Sequence, residues 1–498
     1  MSDVQIEKVN ELYFRVNCEP SIAYELNDHF AFFVPGFKYQ PLFKSGRWDG
    51  KIRLFNPKVR TIRSGLLIDL IKFLNKNDYS YSINKEDIRP LTVDSYIDEL
   101  QSKIKFDITG KYAYQWDATK KAIEMNKLLI LSSTGSGKSA IIYLLIRYLI
   151  ETTDKNILIV VPTISLVEQL FGDFEDYVAD DFIVSDHVSK KYSGVKDGDK
   201  QCGKRVTIST FQSLVRVPAS DPLFTDAGAL IVDECHLAEN KSITSIIDKL
   251  PDVPFRIGMS GTIKDAKMNE LSLKGLFGPI YQTQTTRNLI DKGVLTDVLV
   301  KVSVIEYSEA DSKLFYQEIK DFQAEMQWIS KHSGRNNKIV DIAMQQTNNT
   351  LILFNYVEHG KKLFDIATER NSGSEHSKHV FLITGITPPE ERERVRNFTE
   401  NNKDVLILAT SSLFSTGVNI RSLGVLIFAH SFKAKIRNLQ SIGRSLRLHN
   451  DKEKAIIIDI SDKVAYKKHI NTSYRHMEER IKLYQDEGFD YMVETIKV

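Results

Sequence analysis

Ten short apolar runs, arranged as two series of five, constrain this chain more than any other feature. The first series is KLLILSS (127–133), NILIVVPT (156–163), RVTIST (205–210), ALIVDE (229–234) and RIGMSGT (256–262). The second is TLILFNY (350–356), HVFLITG (379–385), DVLILAT (404–410), GVLIFAH (424–430) and AIIIDI (455–460). The runs are rich in β-branched residues and do not alternate polar with apolar, so each reads as a strand covered on both faces. Longer amphipathic stretches separate them, the pattern of a parallel sheet held between helices. A break between the series predicts two tandem α/β domains, at residues 105–290 and 349–465.

The remainder has a different character. Residues 300–348 are charged and read as a helical connecting segment, and residues 466–498 as a helical C-terminal tail. Residues 1–100 are richer in aromatics, with an amphipathic stretch GLLIDLIKFLNKN (65–77), and read as a separate small α+β domain. At 498 residues the chain exceeds what one core supports, and 42% hydrophobic with 27% charged residues describes an ordinary globular protein. The three cysteines, Cys18, Cys202 and Cys235, are far apart and show no CxxC spacing. That argues against a disulfide framework or zinc site and suits a reducing, cytoplasmic setting. No basic region followed by an apolar run opens the sequence, so no secretory signal is expected. The longest apolar stretch, IIYLLIRYLI (141–150), is interrupted by Arg147 and is too short for a membrane span. With a net charge of only +2, any nucleic-acid surface must be local.

The first run feeds directly into SSTGSGKSA, followed by a helix at 140–150. Glycines at this junction let the backbone N–H groups of Ser133, Thr134, Gly135, Ser136 and Gly137 turn inward around a polyphosphate. Lys138 then meets the β and γ oxygens, and the Ser139 hydroxyl can ligate magnesium. Ser132 stands where a first glycine is usual, which leaves that physics intact. In ALIVDECHLAE, buried residues deliver Asp233 and Glu234 to a strand's carboxyl end, where open α/β sheets bind ligands. Asp233 can hold magnesium, Glu234 can deprotonate an attacking water, and His236 is close enough to sense the γ-phosphate. In NLQSIGRSLRLHN (438–450), Gln440, Gly443, Arg444 and Arg447 fall on an expected helix with the two arginines on one face. Such a pair projecting toward a nucleotide held by another domain is what arginine-finger chemistry needs.

The order and spacing of SSTGSGKS, VPTISLVEQ (161–169), STFQSL (209–214), DECH (233–236), SGT (260–262), ATSSLFSTGVNI (409–420) and QSIGRSLR (440–447) resemble the superfamily 2 helicases. The resemblance covers residues 110–460 and implies two RecA-like domains driven by ATP and Mg2+. YQWDAT (114–119) looks like the upstream adenine-reading motif, with Gln115 as reader. The family implies that Gly417 and Asn419 lie near the nucleotide and that Ser260 and Thr262 couple hydrolysis to movement. It also implies that Pro162, Thr163, Thr210 and Thr410 contact strand phosphates. More narrowly, PGFKYQPLFKSGRWDGKIRLF (35–55) joined to this motor, with HMEERIKLYQDEGFDY in the tail, is similar to the UvsW family of phage recombination helicases. That likeness implies branched, duplex and single-stranded DNA as substrates, RNA in R-loops, a monomer in the host cytoplasm, and phage or host recombination and replication proteins as partners.

Between Pro35 and Arg63 stand eight cations and one anion, a local +7, interleaved with five aromatics. In the alternation from Lys51 to Phe55, Lys51 and Arg53 face one way while Ile52 and Leu54 pack, with Trp48 and Phe55 as candidate core. Lys44, Arg47, Lys51 and Arg53 are therefore expected to grip a duplex backbone. The motor residues alone leave three readings open: a DNA helicase, an RNA-directed helicase or duplex translocase without strand separation, and a branched-DNA annealing scaffold that ATP merely switches.

Overall fold

The computed structural model describes all residues except 1, 35, 85–96, 134, 180, 193–203, 238–239, 262–269, 373–376, 413–419, 421 and 432–453. They divide into two compact units, one of residues 1–132 with 137–283, the other of residues 133–136 with 284–498. No helix among the described residues is long and apolar enough to cross a membrane.

In the first unit the five expected runs form strands Lys127–Leu131, Asn156–Val161, Val206–Thr210, Ala227–Val232 and Phe255–Ser260. All pair in parallel within a seven-stranded sheet. Its edges are Val188–Lys191, beside Val206–Thr210, and Ile280–Gln282, beside Lys127–Leu131. Both edge strands are short and half polar, so no apolar run marks them. Successive residues enter different cores: Leu128 and Ile130 pack beneath helix Lys138–Thr152, while Leu129 joins Leu158, Leu230 and Phe277 on the other face. That two-sided burial is why the runs lack alternation. Leu131 pairs with Ser260, and Val232 with both Gly258 and Val160. The phosphate loop, Ser260 and the Asp233–Glu234 pair therefore emerge from one edge of the sheet.

The N-terminal residues form the expected α+β module. Its sheet runs Phe55–Asn56, Thr61–Arg63, Tyr13–Cys18, Val4–Lys8, Tyr81–Ile83, with only the last pair parallel. Helices Pro20–His29 and Leu67–Lys76 bury Ile22, Leu26, Leu70 and Leu74 against Val4, Phe14 and Val16. The module is locked onto the motor sheet. Arg256, fully buried in strand Phe255–Ser260, donates through Nη2 to the Glu11 carbonyl at 2.5 Å and to Ser64 Oγ at 2.7 Å. Lys127 Nζ meets Glu11 Oε2 at 2.7 Å, and Arg63 meets Asp248 at 2.9 Å. Gly65 sits so close that a Cβ there would lie 2.0 Å from the Lys274 carbonyl oxygen.

The second unit repeats the plan, with strands Thr350–Phe354, His379–Ile383, Val405–Thr410, Val425–Phe428 and Lys454–Lys463 at the expected runs. Again the sheet has seven parallel strands, because Asp297–Glu306 and then Asp490–Lys497 add beyond Lys454–Lys463. The connecting segment thus ends a strand before its helices begin. Those helices, Glu309–Glu318, Phe322–Lys331 and Ser333–Met344, contribute Phe315, Ile339 and Val340 to the core. The tail carries its expected helix, Thr472–Asp486, and then a strand that the sequence reading lacks. Asp490–Lys497 is an edge strand whose side chains stay largely exposed, so DYMVETIK needs no apolar run. Two buried ion pairs pin helices to Lys454–Lys463: Arg335 to Asp462 and Arg480 to Asp459, each at 2.7 Å. Tyr307 and Tyr484 donate their hydroxyls to the same carboxylates, at 2.7 and 2.9 Å. Charges this deep persist only when paired and hydrogen-bonded in this way.

Candidate active site

The phosphate loop relies on two glycines. Gly135 and Gly137 both take φ of 83°, the left-handed region where a side chain is strained. Gly137 caps helix Lys138–Thr152, and a Cβ there would lie 2.4 Å from Nε2 of Gln115. Gln115 is buried on helix Ala113–Met125, so the expected adenine reader abuts the loop it would serve. Within the loop the Ser136 N–H donates to the Ser133 carbonyl at 3.1 Å.

Across from the loop, Lys138 Nζ donates to Glu234 Oε1 at 2.6 Å. Glu234 has φ of 47°, an uncommon conformation for a residue with a side chain, and its N–H donates to Asp233 Oδ1 at 2.8 Å. The backbone is therefore bent at the strand end so that adjacent carboxylates occupy one pocket. Their charges separate. Burial, then the Glu234 charge beside it, pushes Asp233 up to about 7. Burial also works against Glu234, but the Lys138 ammonium overrides it and holds that carboxyl low.

His236 lies behind the pair. Its Nδ1 is 2.8 Å from Ser260 Oγ and 3.3 Å from Glu234 Oε2. Burial pushes the imidazole down to about 4, so it is neutral near pH 7. Its Nε2 has no hydrogen-bond partner among the described residues, a buried polar atom that a bound ligand can satisfy. Ser139 brings a contact that no motif announced: its Oγ is 2.9 Å from the hydroxyl of Tyr177, at the end of helix Ile164–Tyr177. No group of three metal-binding side chains assembles among the described residues. A divalent cation placed beside Asp233 would favour the ionised carboxylate that burial and Glu234 disfavour.

The residues expected along the strand track sit at strand ends. Pro162 and Thr163 follow Asn156–Val161, and Thr210 ends the neighbouring strand, paired with Val161. Both hydroxyls are engaged locally: Thr163 Oγ1 accepts the Leu166 N–H at 3.3 Å, and Thr210 Oγ1 is 2.9 Å from Ser213 Oγ. Thr410 ends Val405–Thr410 in the other unit, its hydroxyl buried with no partner among the described residues. In the N-terminal module Lys44 and Arg47 are exposed, Lys51 lies 5.1 Å from the Phe33 ring centroid, and Arg53 is forked onto Asp49. Phe55 is core, as expected. Trp48 is not: it is half-buried, and its indole N–H donates to the Lys51 carbonyl at 2.9 Å. Thr134, Thr262, Gly417, Asn419, Gln440, Gly443, Arg444 and Arg447 lie outside the described residues.

A lysine clasping the acid of an Asp-Glu-Cys-His strand end across a phosphate loop, on one of two RecA-like sheets, defines a superfamily 2 helicase motor. Three family models match in chain order: the N-terminal region of DNA helicase UvsW at 3–84, the type III restriction enzyme res subunit at 109–265, and the helicase conserved C-terminal domain at 334–449. The ATP-dependent DNA helicase uvsW of Enterobacteria phage T4 is 32% identical over 517 residues, covering 100% of both chains. The crystal structure of T4 UvsW covers 99% of both chains at 30% identity with a TM-score of 0.53. The chain belongs to the UvsW family. A DUF1998 helicase, MrfA, bound to DNA shares the fold at 15% identity, with a TM-score of 0.57 over 82% of this chain and 56% of its own.

Proposed function

We propose that this chain is an ATP-dependent DNA helicase that unwinds or remodels branched DNA, such as forks, four-way junctions and R-loops, in phage recombination, replication and repair. The observation that carries this reading is likeness along the whole length, including the N-terminal module at residues 3–84. A motor alone would suit an RNA-directed enzyme or a duplex translocase equally well. In this reading residues 1–100 grip DNA through Lys44, Arg47, Lys51 and Arg53, residues 105–290 hold the nucleotide, and residues 349–465 complete the motor. Pro162, Thr163, Thr210 and Thr410 touch the phosphates of the tracked strand, contacts that carry no sequence preference. The chain works as a monomer in the host cytoplasm, alongside phage or host recombination and replication proteins.

The Lys138–Glu234 pair suggests the order of events. Lys138 exchanges Glu234 for the β and γ phosphates, and Glu234, relieved of its cation, becomes basic enough to accept a proton from the attacking water. Ser139 and Asp233 would hold Mg2+, which supplies charge neutralisation at the phosphates. His236 passes the change to Ser260 at the neighbouring strand end. Gly417, Asn419, Gln440, Arg444 and Arg447 enter through the family alone, as does Thr262.

The test is ATP-dependent remodelling of a fork, a four-way junction and an R-loop, measured side by side with ATPase stimulation by duplex, single-stranded and RNA effectors. Stimulation by RNA alone, or failure on all three branched substrates, overturns the reading.

A further inference from the structure

Between Phe30 and Phe55, both fully buried, the chain leaves the N-terminal core and returns. The Leu54 N–H donates to the Phe30 carbonyl at 2.8 Å and closes the neck of this excursion. Within it Ala31–Phe33 and Lys51–Arg53 pair as a separate two-stranded ribbon. Among the described residues from 31 to 54, Gly50 alone is buried. What holds the excursion together is a small aromatic stack: Phe33 on Phe37 at 4.7 Å, Phe37 edge-on to Phe43 at 4.8 Å, and Gly50 pressed so close that a Cβ would lie 2.2 Å from the Phe37 ring.

Tyr39 takes no part in that stack. It is 82% exposed, more than any other Phe, Tyr or Trp among the described residues, and Phe33 and Leu42 in the same excursion are 53% and 54% exposed. Lys38, Lys44, Arg47 and Lys51 share the excursion with them, against the single carboxylate of Asp49. Cations suffice for a backbone grip, and an exposed ring adds nothing to one. A ring standing among cations is the arrangement that receives an unpaired base, because every base has a face to stack and a phosphate to neutralise.

We propose that residues 31–54 form a platform for single-stranded DNA on which Tyr39 stacks an unpaired base while Lys38, Lys44 and Arg47 hold the flanking phosphates. The ligand class is an unpaired nucleotide next to duplex, so the module recognises the branch point itself and not only a duplex arm. This rests on the reading of the module as a DNA grip.

The experiment uses the full chain and a fork carrying 2-aminopurine in its single-stranded arm beside the junction. A blunt duplex and a single strand of equal length serve as comparisons, and affinity is read by fluorescence anisotropy at two salt concentrations. Tyr39→Ala is expected to weaken fork and single-strand binding about tenfold, leave the duplex and the salt slope unchanged, and abolish 2-aminopurine quenching. Tyr39→Phe should keep all three. Equal loss on duplex, or unaltered quenching in Tyr39→Ala, overturns the platform. If Lys44, Arg47, Lys51 and Arg53 are all changed to Ala and every affinity is retained, the DNA grip fails and the platform with it. If that variant loses affinity and Tyr39→Ala does not, the platform alone fails.

Discussion

Lys138 and Glu234 neutralise each other at 2.6 Å, so in the proposed scheme the cation that would bind phosphate rests on the carboxylate that would act as base. Nucleotide must compete with that pair to enter. Glu234→Gln removes the competitor's charge while keeping its shape. It is therefore expected to bind ATP about threefold tighter or better and to turn it over at least 10²-fold more slowly. Lys138→Ala should lose both binding and turnover. Titration with a fluorescent ATP analogue, alongside steady-state ATPase, separates the two, and weaker binding by Glu234→Gln would contradict the exchange.

The contact of 2.8 Å between His236 Nδ1 and Ser260 Oγ joins the hydrolytic strand to its neighbour. Ser260→Ala is expected to retain most DNA-stimulated ATPase while strand separation per ATP falls about tenfold. Simultaneous measurement of phosphate release and fork unwinding reads that ratio. An unchanged ratio would place the coupling elsewhere.

Gly65→Ala tests the seat of the N-terminal module. A methyl group at that position requires the Lys274 carbonyl to move, since the Cβ would sit 2.0 Å from its oxygen. The expected cost is about 2–3 kcal/mol, seen as a lower urea midpoint of the first unit's transition. Gly46→Ala would not serve as a control, because Gly46 has a positive φ of 70°. Gly172→Ala, with open space around it, would.

Two buried histidines, His236 and His359, and the half-buried His430 predict acid lability. Burial pushes His236 and His430 down to about 4 and His359 to about 3, against about 6.5 in an unfolded chain. Below pH 6.5 the unfolded state takes up protons that the folded state refuses, so stability falls as pH drops and is unaffected above that point. Each group contributes a slope of about 1.4 kcal/mol per pH unit until its folded pKa is reached. His359 bonds Asn336 through Nε2 at 3.0 Å, and a glutamine amide can replace that donor. His359→Gln should flatten the loss between pH 6.5 and 5 measured by urea unfolding, and a parallel curve would refute the assignment.

How far the sequence could be read follows from burial. Strands covered on both faces announced themselves as apolar runs, so nine interior strands and the parallel class were legible, together with the edge strand His379–Ile383. Val188–Lys191, Ile280–Gln282 and Asp490–Lys497 were not, because an edge strand may be short or polar without penalty. Asp297–Glu306 buries Val298, Val300 and Val302 between intermediate residues, an alternation easily absorbed into the helical stretch after it. In the site, Lys138, Asp233, Glu234 and His236 carried motif signals and meet as those signals require. Tyr177 carried none: its bond to Ser139 spans 38 positions and depends on how two helices cross. Trp48, a candidate for the core, is half-buried instead, because it lies in the excursion between Phe30 and Phe55 that leaves the N-terminal core.

Arg256 is the second residue and Ser260 the last of one six-residue strand, Phe255–Ser260. Four residue steps of extended chain separate them, about 13 Å. Toward one end it is bolted to the N-terminal module through Glu11 and Ser64, and its other end touches His236 beside Glu234. If the module grips DNA as proposed, a pull on it is anchored in the same strand that ends beside Glu234, and the grip becomes a fixed point of reference for each stroke of the motor.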